Sequence, residues 1–581
     1  MSFLNKFIKS FLIFEKKELK KKFSLVEYFI KNINLIDYFF FIFDKNKYNP
    51  IKSIDFKNYI NINKKKWKNN KINNLKSNNS ILVETFINHA AYTLSNIVTS
   101  AYLNNIYNMK MVGLIRNYDL KSEVIFRSFG VRNFIYFKNP NIFYRVKYIL
   151  KSLKILSNQK DFKRVNKLKY KNIDVGLTAY DTYIRYLGIP TLEKINCEFI
   201  VFFAEALYSC DFFINEFNKN HEIKKSVQGE TQFSPLNILF QVSLKNKIEV
   251  FSRSGLESFT LRKYTNWKQR YSYRGSISQK LFNEVFKKNK KKSINYIKKI
   301  YKNKIKINMF GLDDVVLGLS NKKLTFVTKD KLLKKFRWKN KKIVVFFLSH
   351  LLDGNFNFGF RKNFKDIYSS TKFIIEKISK VNQVNWIIKK HPNHDHFKSK
   401  IDFDKEIINL EKKFNHIKLL PENIDPSSLL KIADTALTAS GSVGVEYPAF
   451  GIRSIFYEKS YYSNLNFLNY AKSKKNLLFE LQNIHKSQKL KKLFIEKCQV
   501  YLFIKDILIK SESSLIPEYI PSRKINENFF WKRALKKVKM FKFSKDLFYS
   551  MLQKQIKYNL RHTINFNFTK LSKKKYNDFY D

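Results

Sequence analysis

The stretch Trp386-Ile-Ile-Lys-Lys-His-Pro-Asn393 joins an apolar run to polar residues, and it is the most informative feature of this chain. Residues 384–389 are mostly apolar, which predicts a buried strand of a parallel sheet with His391 and Pro392 at its carboxyl end. Open α/β sheets bind ligands at that end of their strands. Pro392 lacks an N–H and has a fixed φ, so it ends the strand and holds His391 in an extended conformation. An imidazole placed there can donate to a phosphate or act as an acid near neutral pH.

A short predicted strand at residues 433–438 is followed by a second polar segment, Ala439-Ser-Gly-Ser-Val-Gly-Val-Glu-Tyr-Pro-Ala-Phe-Gly451. Its small residues predict a tight turn, and a helix follows at residues 445–450. Small residues let the backbone approach a ligand, and the helix amino end offers unpaired N–H groups and a positive partial charge to a phosphate. Glu446 lies in the first helical turn. A carboxylate there that points into the ligand-binding cleft at the ends of the strands suits the hydroxyls of a ribose. The predicted anion site consists of Ser440, Gly441, Ser442 and Gly444.

Together these segments resemble the carboxyl-terminal Rossmann-like domain of GT-B glycosyltransferases, in particular the capsule polysaccharide biosynthesis group that includes bacterial Kdo transferases. Members of that group carry a Lys-x-His-Pro strand end and a Ser-x-Gly-x-Glu turn that hold the nucleotide of a CMP- or UDP-activated sugar. The resemblance covers about residues 341–457, in which Ile343–His350 is similar to the first strand and Asp353-Gly354 to the loop after it. A helix at residues 364–380 and the strand ending at Lys389 complete a βαβ unit.

A weaker resemblance lies upstream in Val175-Gly-Leu-Thr-Ala-Tyr-Asp-Thr-Tyr-Ile-Arg185, which is similar to a Gly-x-x-x-Tyr-Asp-x-x-Leu-Arg segment in the acceptor half of the same group. Ile184 stands where the group has Leu. The resemblance implies that Asp181 takes the proton of the acceptor hydroxyl or forms a covalent glycosyl intermediate. Alternatively, Asp181 and Arg185 form an exposed ion pair one helical turn apart. Glu230 is a second candidate for the acceptor-side carboxylate, with a solvent-facing turn residue as its alternative.

The resemblance implies an α/β fold of the GT-B type, with two Rossmann-like domains that face a central cleft and extra helical segments at both ends. Glycosyl transfer would take place in that cleft without a metal or other cofactor, and the nucleotide-sugar is a co-substrate. Lys389 or Lys390 and His391 would meet the donor phosphate. Negative charge builds on this phosphate as its bond to the sugar carbon breaks. Glu446 would hold the ribose or the base.

The histidines around His391 allow a metal site as a different interpretation. His391, His394, Asp395 and His396 lie in one loop, and His416 follows. Their spacing comes with no matching cysteine and no His-Glu-x-x-His pattern, so metal binding is the weaker hypothesis. The later histidines are then expected to be solvated loop residues.

A chain of 581 residues normally forms several domains, and two Rossmann-like halves account for most of this one. Residues 1–80 predict an amino-terminal helical and linker extension. We expect an acceptor-side domain at residues 81–330 and a donor nucleotide-sugar domain at residues 331–515. The basic tail at residues 516–581 is similar to the terminal helices that cross back to the first domain in GT-B enzymes, and a membrane-facing helix is its alternative.

The net charge of +64 suggests a polyanionic partner, but its distribution argues against nucleic acid. The basic residues are mostly lysines that are spread with Asn, Ile, Phe and Tyr over the whole chain. A/T-rich codons encode all these residue types, so genome base composition explains much of the excess. The partners expected are a nucleotide-sugar donor, a glycan or lipid-linked glycan acceptor, and an anionic membrane surface.

Cys197, Cys210 and Cys498 fit no zinc or disulfide pattern, which suits a reducing cytoplasm. No apolar run is long enough for a membrane span. Residues 3–12 have apolar side chains at helical spacing beside lysines, which predicts an interfacial helix on anionic lipid or a helix packed on the domain surface. We therefore expect a cytoplasmic protein that can bind peripherally to the inner face of the cytoplasmic membrane.

Three other functions are alternatives. Nucleotide-sugar 2-epimerases share His-Pro-Asn, but they have two glutamates after the Ser-Gly turn, where this chain has only Glu446. CDP-glycerol polymer transferases also use a Lys/Arg-x-His-Pro strand end, and a donor assay separates them from sugar transferases. A non-catalytic basic protein that binds a membrane or nucleic acid would explain the charge but not the spaced motifs, and its binding would survive loss of His391.

Overall fold

The chain is described by a computed structural model, and the described residues are 53–68, 78–87, 89–117, 119–138, 140–157, 162–255, 258–273, 275–304, 325–355, 363–391, 394, 399–401, 403–468, 470–517 and 527–568. The helix predicted at residues 3–12, most of the amino-terminal extension, Pro392, Asp395 and His396 lie outside them.

Strands and helices alternate along most of the described chain. The strands are β1 Ser80–Thr85, β2 Lys110–Arg116, β3 Asn133–Phe137, β4 Ile223–Gln228, β5 Glu249–Ser254, β6 Ser258–Tyr264, β7 Ile343–Phe347, β8 Asn385–Lys389, β9 Ile417–Leu419, β10 Thr435–Thr438, β11 Arg453–Phe456 and β12 Lys510–Glu512. The helices are α1 Ile54–Lys68, α2 Ala90–Tyr107, α3 Leu120–Ser128, α4 Ile142–Ser157, α5 Val175–Leu187, α6 Cys197–Lys219, α7 Leu236–Lys245, α8 Gln279–Lys304, α9 Lys329–Phe336, α10 Ile367–Ile378, α11 Phe403–Lys413, α12 Leu429–Ile432, α13 Val443–Glu446, α14 Lys474–Gln482, α15 Lys492–Phe503, α16 Glu527–Met540 and α17 Leu547–Lys557.

The first sheet has the strand order β12-β6-β5-β4-β1-β2-β3. Strands β5, β4, β1, β2 and β3 are parallel, whereas β6 runs antiparallel to β5 and β12 runs antiparallel to β6. Helices α4, α5, α6 and α7 pack on one face, and α1, α2, α3, α16 and α17 pack on the other. Because both faces are covered, every residue of the central strand β1 is buried.

The second sheet has the order β11-β10-β7-β8-β9, and all its strands are parallel. The Ile-Val-Val-Phe-Phe run of β7 and the fully buried Trp386 of β8 form its centre, where the Trp386 indole donates to Val381 O at 2.9 Å. A capping box between Asp366 and Ser369 begins α10. The strand predicted at residues 384–389 and the helix predicted at residues 364–380 are confirmed as β8 and α10.

The chain crosses between the two sheets more than once. Helix α8 follows β6 but packs on the second domain, where Phe282 lies 4.7 Å from Phe467 between ring centroids. Strand β12 joins the first sheet, although it falls within the predicted donor domain. Helix α16 then packs Trp531 against Phe56 and Tyr59, with ring centroids 4.5 and 5.1 Å apart. Trp531 of the basic tail is therefore a core residue of the first domain.

The predicted α/β class with two Rossmann-like domains and additional helices at both ends is confirmed. Loops of the second domain contact the first domain directly. Thr191 Oγ1 donates to Asp366 Oδ2 at 2.6 Å, and Lys400 N donates to Gly188 O at 2.7 Å. These contacts lie around the carboxyl-terminal half of α5, and this junction positions the candidate site.

Candidate functional site

Two neighbouring strands of the second sheet are each followed by a histidine. The register of β7 and β8 places Phe347 opposite Lys389, and Leu348 N donates to Lys389 O at 3.0 Å. The ring centroids of His350 and His391 lie 5.6 Å apart at an interplanar angle of 75°. Sequence reasoning named His350 only as the end of a strand. Its place after β7, which matches that of His391 after β8, is the signal that could have identified it.

Burial controls the charge of Lys389 and His391. It lowers the pKa of Lys389 to about 8, so this ammonium is mostly protonated at neutral pH. Burial also lowers the pKa of His391 to about 3, with repulsion from His350, Lys389 and His394 acting in the same direction. His391 is therefore a neutral imidazole at neutral pH. It becomes an acid only when an anion beside it raises its pKa.

Lys389 and Lys390 are equal candidates for the phosphate contact in the sequence analysis, but they have different surroundings in the structure. The Lys390 ammonium bonds to Asp404 at the start of α11 and lies 3.6 Å from Glu422 Oε1. The Lys389 ammonium lies over the Phe347 ring, 5.9 Å from its centroid. Carboxylates thus hold Lys390 toward α11, whereas Lys389 lies at the strand ends.

The predicted turn and helix after β10 are present. Ser440 is buried, and its carbonyl accepts a hydrogen bond from Ser460 Oγ at 2.7 Å. Ser442 precedes α13, a helix of 4 residues, and a 3-10 turn at Pro448–Phe450 continues it. Gly451 then ends the segment with φ 87°, in the left-handed region that favours glycine.

Packing explains the glycines of this turn. A Cβ at Gly444 would lie 1.9 Å from the Tyr462 hydroxyl, and a Cβ at Gly441 would lie 2.8 Å from Thr438 Oγ1. The Tyr462 hydroxyl also donates to Gly441 O at 2.7 Å. The sequence interpretation attributed these small residues to the approach of a ligand. In the structure, Gly444 is required by the side chain of Tyr462.

Glu446 lies in a buried ionic cluster. Its Oε1 is 3.9 Å from Lys505 Nζ, which is 3.2 Å from Asp506 Oδ1. Burial acts to lower the pKa of Lys505, but Asp506 and Glu446 outweigh it and raise that pKa overall. Lys505 and Asp506 belong to a π-helical turn, Ile504–Leu508, which no sequence motif indicates. The contact of Glu446 with a ribose stays a prediction.

Asp181 of α5 is fully buried where the two domains meet. Asn355 Nδ2, in the loop after β7, donates to Asp181 Oδ1 at 3.0 Å. A Cβ at Gly354 of the same loop would lie 3.3 Å from Asp181 Oδ2. The alternative of a solvent-exposed ion pair with Arg185 is therefore wrong, because Asp181 is inaccessible to solvent.

Arg185, Glu230 and Asp353 form a charged group at the same junction. Burial raises the pKa of Asp353 to about 6, while Arg185 lowers it and Glu230 raises it. Glu230 is half-buried, and its Oε1 accepts from Thr231 N at 2.6 Å while its own N–H donates to the Tyr92 hydroxyl at 2.9 Å. Sequence reasoning named Asp353 only as a loop residue, because its burial arises from the domain contact.

Buried Glu84 of β1 holds the loop that carries Glu230. Gly229 N and the Tyr92 hydroxyl both donate to Glu84 Oε1, at 2.8 and 2.6 Å. Burial raises the pKa of Glu84, and these donors act against that rise. A Cβ at Gly229 would lie 2.5 Å from the Tyr92 ring, so glycine is needed for this approach. Strand β1 and helix α2 therefore position a loop that is remote from them in sequence.

One loop, residues 348–355, connects the two parts of the site. At one end His350 faces His391. The His350 carbonyl accepts from Asp353 N at 3.1 Å, which turns the chain toward the first domain. At the other end Asn355 bonds to Asp181. His391 and Asp181 thus lie near opposite ends of the same short loop.

Within the described residues, no group of three or more His, Cys, Asp or Glu side chains is placed to hold a metal ion. The three cysteines are free, and two of them are buried. Across the same part of the chain, no helix has the length and apolar content needed to cross a membrane.

No protein-family model and no curated protein sequence matches the chain. Solved structures do show similarity. The Thermosulfurimonas dismutans β-Kdo 2,4 transferase KpsC is 11% identical over 48% of this chain and 79% of its own, with a TM-score of 0.28. A Rickettsia africae glycosyltransferase is 12% identical over 79% and 96%, with a TM-score of 0.24. The Neisseria meningitidis UDP-GlcNAc 2-epimerase is 10% identical over 73% and 96%, with a TM-score of 0.22. At TM-scores this low, function has to be argued from the residues themselves.

Proposed function

We propose that this protein is a GT-B-type glycosyltransferase that moves a sugar from a CMP- or UDP-activated donor onto a cell-surface polysaccharide or lipid-linked glycan. The observation that carries the proposal is the loop at residues 348–355. It connects the histidines at the strand ends of one Rossmann-like domain to the buried carboxylate of Asp181 in the other. A transferase needs a site for the leaving phosphate and a carboxylate for the acceptor on facing domains, and this loop would join the two.

On the donor side, Lys389 and His391 would bind the nucleotide phosphate. Burial has lowered the pKa of both groups, so a phosphate between them favours their protonated forms and is attracted strongly in that low-dielectric surrounding. When the bond between the sugar carbon and the phosphate oxygen breaks, the electron pair stays on the phosphate. The two cationic groups would stabilise that charge. Lys390 is the weaker candidate because Asp404 already neutralises it.

The turn after β10 would complete the donor site. The phosphate would lie near the amino end of α13, beside the backbone of residues 440–444. Glu446, near Lys505, would bind the ribose or the base. These assignments rest on the resemblance of the two motifs, and the position of His391 next to Lys389 supports them.

On the acceptor side, Glu230, or Asp181 once its contact with Asn355 opens, would take the proton of the acceptor hydroxyl as its oxygen attacks the sugar carbon. Alternatively, one of them would attack that carbon first and form a covalent glycosyl intermediate. The structure adds Asp353 to these candidates for the base. Its pKa of about 6 is close to the value that suits a general base near neutral pH.

Thermal unfolding with CMP, CDP, UDP, GDP and TDP tests the donor site. A nucleotide that binds only the folded protein raises the melting temperature by mass action. We expect one of them to stabilise the wild type and His221→Ala, an exposed control, but not His391→Ala. If none stabilises the wild type, the proposed site is wrong.

Product analysis with the nucleotide-activated donor that stabilises the protein then separates the related activities. Sugar transfer to a glycan supports the proposal. Polymerisation of glycerol phosphate from CDP-glycerol, or epimerisation of a UDP-sugar without transfer, would replace it by the corresponding alternative.

A further inference from the structure

Helix α4 turns an apolar face toward solvent. Ile142, Val146 and Leu150 recur every four residues, and Phe143 lies beside them, so the four side chains form one stripe. Their exposed fractions are 56%, 52%, 55% and 81% in that order. The outer face of a surface helix is normally polar. A contiguous group of exposed large apolar side chains therefore indicates an interaction surface.

The opposite face of α4 is firmly packed, so its orientation is well determined. Tyr148, Ile149 and Leu156 are buried in the core of the first domain. The Tyr148 hydroxyl donates to Asp211 Oδ2 of α6 at 2.8 Å, and the Tyr148 ring lies 5.6 Å from that of Tyr208. The apolar stripe thus faces outward while the rest of the helix serves the core.

The charged residues of α4 are all basic: Arg145, Lys147, Lys151 and Lys154. Lys147 and Lys154 are exposed and lie two turns apart, along the edge of the stripe next to Phe143. Lys151 is tied to Asp211, with 3.6 Å between Nζ and Oδ2. On the other edge, Arg145 and Glu205 of α6 line a groove between α4 and α6. The stripe therefore has one edge of exposed positive charge.

We propose that α4 docks the first domain on the surface of an anionic lipid bilayer. Ile142, Phe143, Val146 and Leu150 would enter the region between head groups and acyl chains, and Lys147 and Lys154 would meet the anionic head groups. A helix that lies in the membrane plane has this combination of an apolar stripe and a flanking row of lysines. The basic edge is the reason to choose lipid, because an apolar protein partner would not require it. The proposal is independent of the proposed enzymatic activity.

Flotation of the full chain with vesicles of phosphatidylglycerol and phosphatidylcholine tests this surface. The wild type should float with mixed vesicles and keep part of its binding at high salt, where attraction between exposed charges is screened. The double substitution Phe143→Ser with Leu150→Ser should weaken binding at high salt at least about tenfold, because two large apolar side chains no longer enter the bilayer. Lys147→Glu with Lys154→Glu should weaken binding mainly at low salt.

Two controls match these variants elsewhere on the protein. Phe479→Ser removes a phenylalanine that is 65% exposed on α14, and Lys412→Glu with Lys413→Glu reverses two exposed lysines on α11. Both controls should bind as the wild type does. All the altered side chains are exposed, so unchanged thermal unfolding is expected and is measured alongside.

Equal binding by the wild type and both α4 variants would overturn the proposal, since the general positive charge of the chain would then suffice. A wild type that is a dimer in the absence of lipid, with Phe143→Ser monomeric, would also overturn it, because a second copy would then cover the stripe.

Discussion

The two sides of the proposed site are built in different ways. In the second domain, Lys389 ends strand β8 and His391 follows it, so neighbours in sequence are neighbours in space. In the first domain, Asp181 lies on α5 and Glu230 follows β4, and the partner of Asp181 is Asn355 from the other domain. The donor residues are neighbours in the chain, whereas the acceptor residues come from separate segments of the first domain, and Asp181 also contacts the other domain. Substitutions should therefore act through different routes on the two sides.

The largest effect is expected on the acceptor side, from Asp181→Asn. This change keeps the shape of a buried side chain and removes its ability to take a proton or to attack the sugar. Transfer should slow by about 10²–10⁴-fold, the usual contribution of a general base, while the melting temperature changes little. The measurement is the transfer rate beside Glu376→Gln, an exposed carboxylate on α10. An unchanged rate in Asp181→Asn would remove Asp181 from the chemistry.

The next comparison is within the donor side, between Lys389→Gln and Lys390→Gln. Loss of a charged hydrogen bond to phosphate should weaken nucleotide binding by about ten- to a hundredfold in Lys389→Gln. Lys390 is held by Asp404 and Glu422, so its loss should change binding by a few-fold at most. Calorimetric titration with the stabilising nucleotide measures both. Equal losses would contradict the separation of the two lysines.

Asp353→Asn tests whether the buried carboxyl at the domain junction makes the stability of the protein depend on pH. The folded protein keeps a proton on Asp353 up to a pKa of about 6, above the ordinary value for an aspartate. Between about pH 4 and 6 the native state therefore binds more protons than the unfolded state, and stability falls as pH rises through that window. Asparagine does not ionise, so it carries no cost of burying a charge. The free energy of unfolding of the variant should exceed that of the wild type by about 2–3 kcal/mol above pH 6 and approach it near pH 4.

Urea unfolding of Asp353→Asn and wild type at both ends of that window measures the difference. A constant difference at all pH values would show that Asp353 is not the group that titrates.

Gly444→Ala tests whether packing against Tyr462 determines the shape of the turn at residues 440–444. The added Cβ would collide with Tyr462, so unfolding should become easier by about 1–3 kcal/mol, a typical cost of overpacking. Tyr462→Phe in the same chain should recover part of the loss. Gly275→Ala is the control, because its Cβ would meet the Tyr273 ring at an ordinary 3.4 Å. Thermal unfolding of the four proteins measures the effect, and a loss confined to nucleotide binding would indicate ligand approach instead.

Local pattern was sufficient for β8, α10 and the turn after β10, because hydrophobic runs and small residues determine such elements over short distances. Local pattern was not sufficient to explain Gly444. Glycine is required there because the side chain of Tyr462, from further along the chain, packs against it. No sequence pattern indicates the π-helical turn that places Lys505 near Glu446. The apolar outer stripe of α4 has the same period as a core face, so periodicity does not say which side is buried.

The amino-acid sequence alone indicates the α/β class, the two motifs at strand ends and the large positive charge. These follow from residue type and short-range spacing, which are complete in the chain before it folds. Only the tertiary structure shows that Asp404 holds Lys390 while Lys389 acts on the charge of His391, that Asp181 is buried against Asn355, and that burial raises the pKa of Asp353. Burial and charge environment depend on what other segments bring to a residue, and only docking of the domains creates that environment.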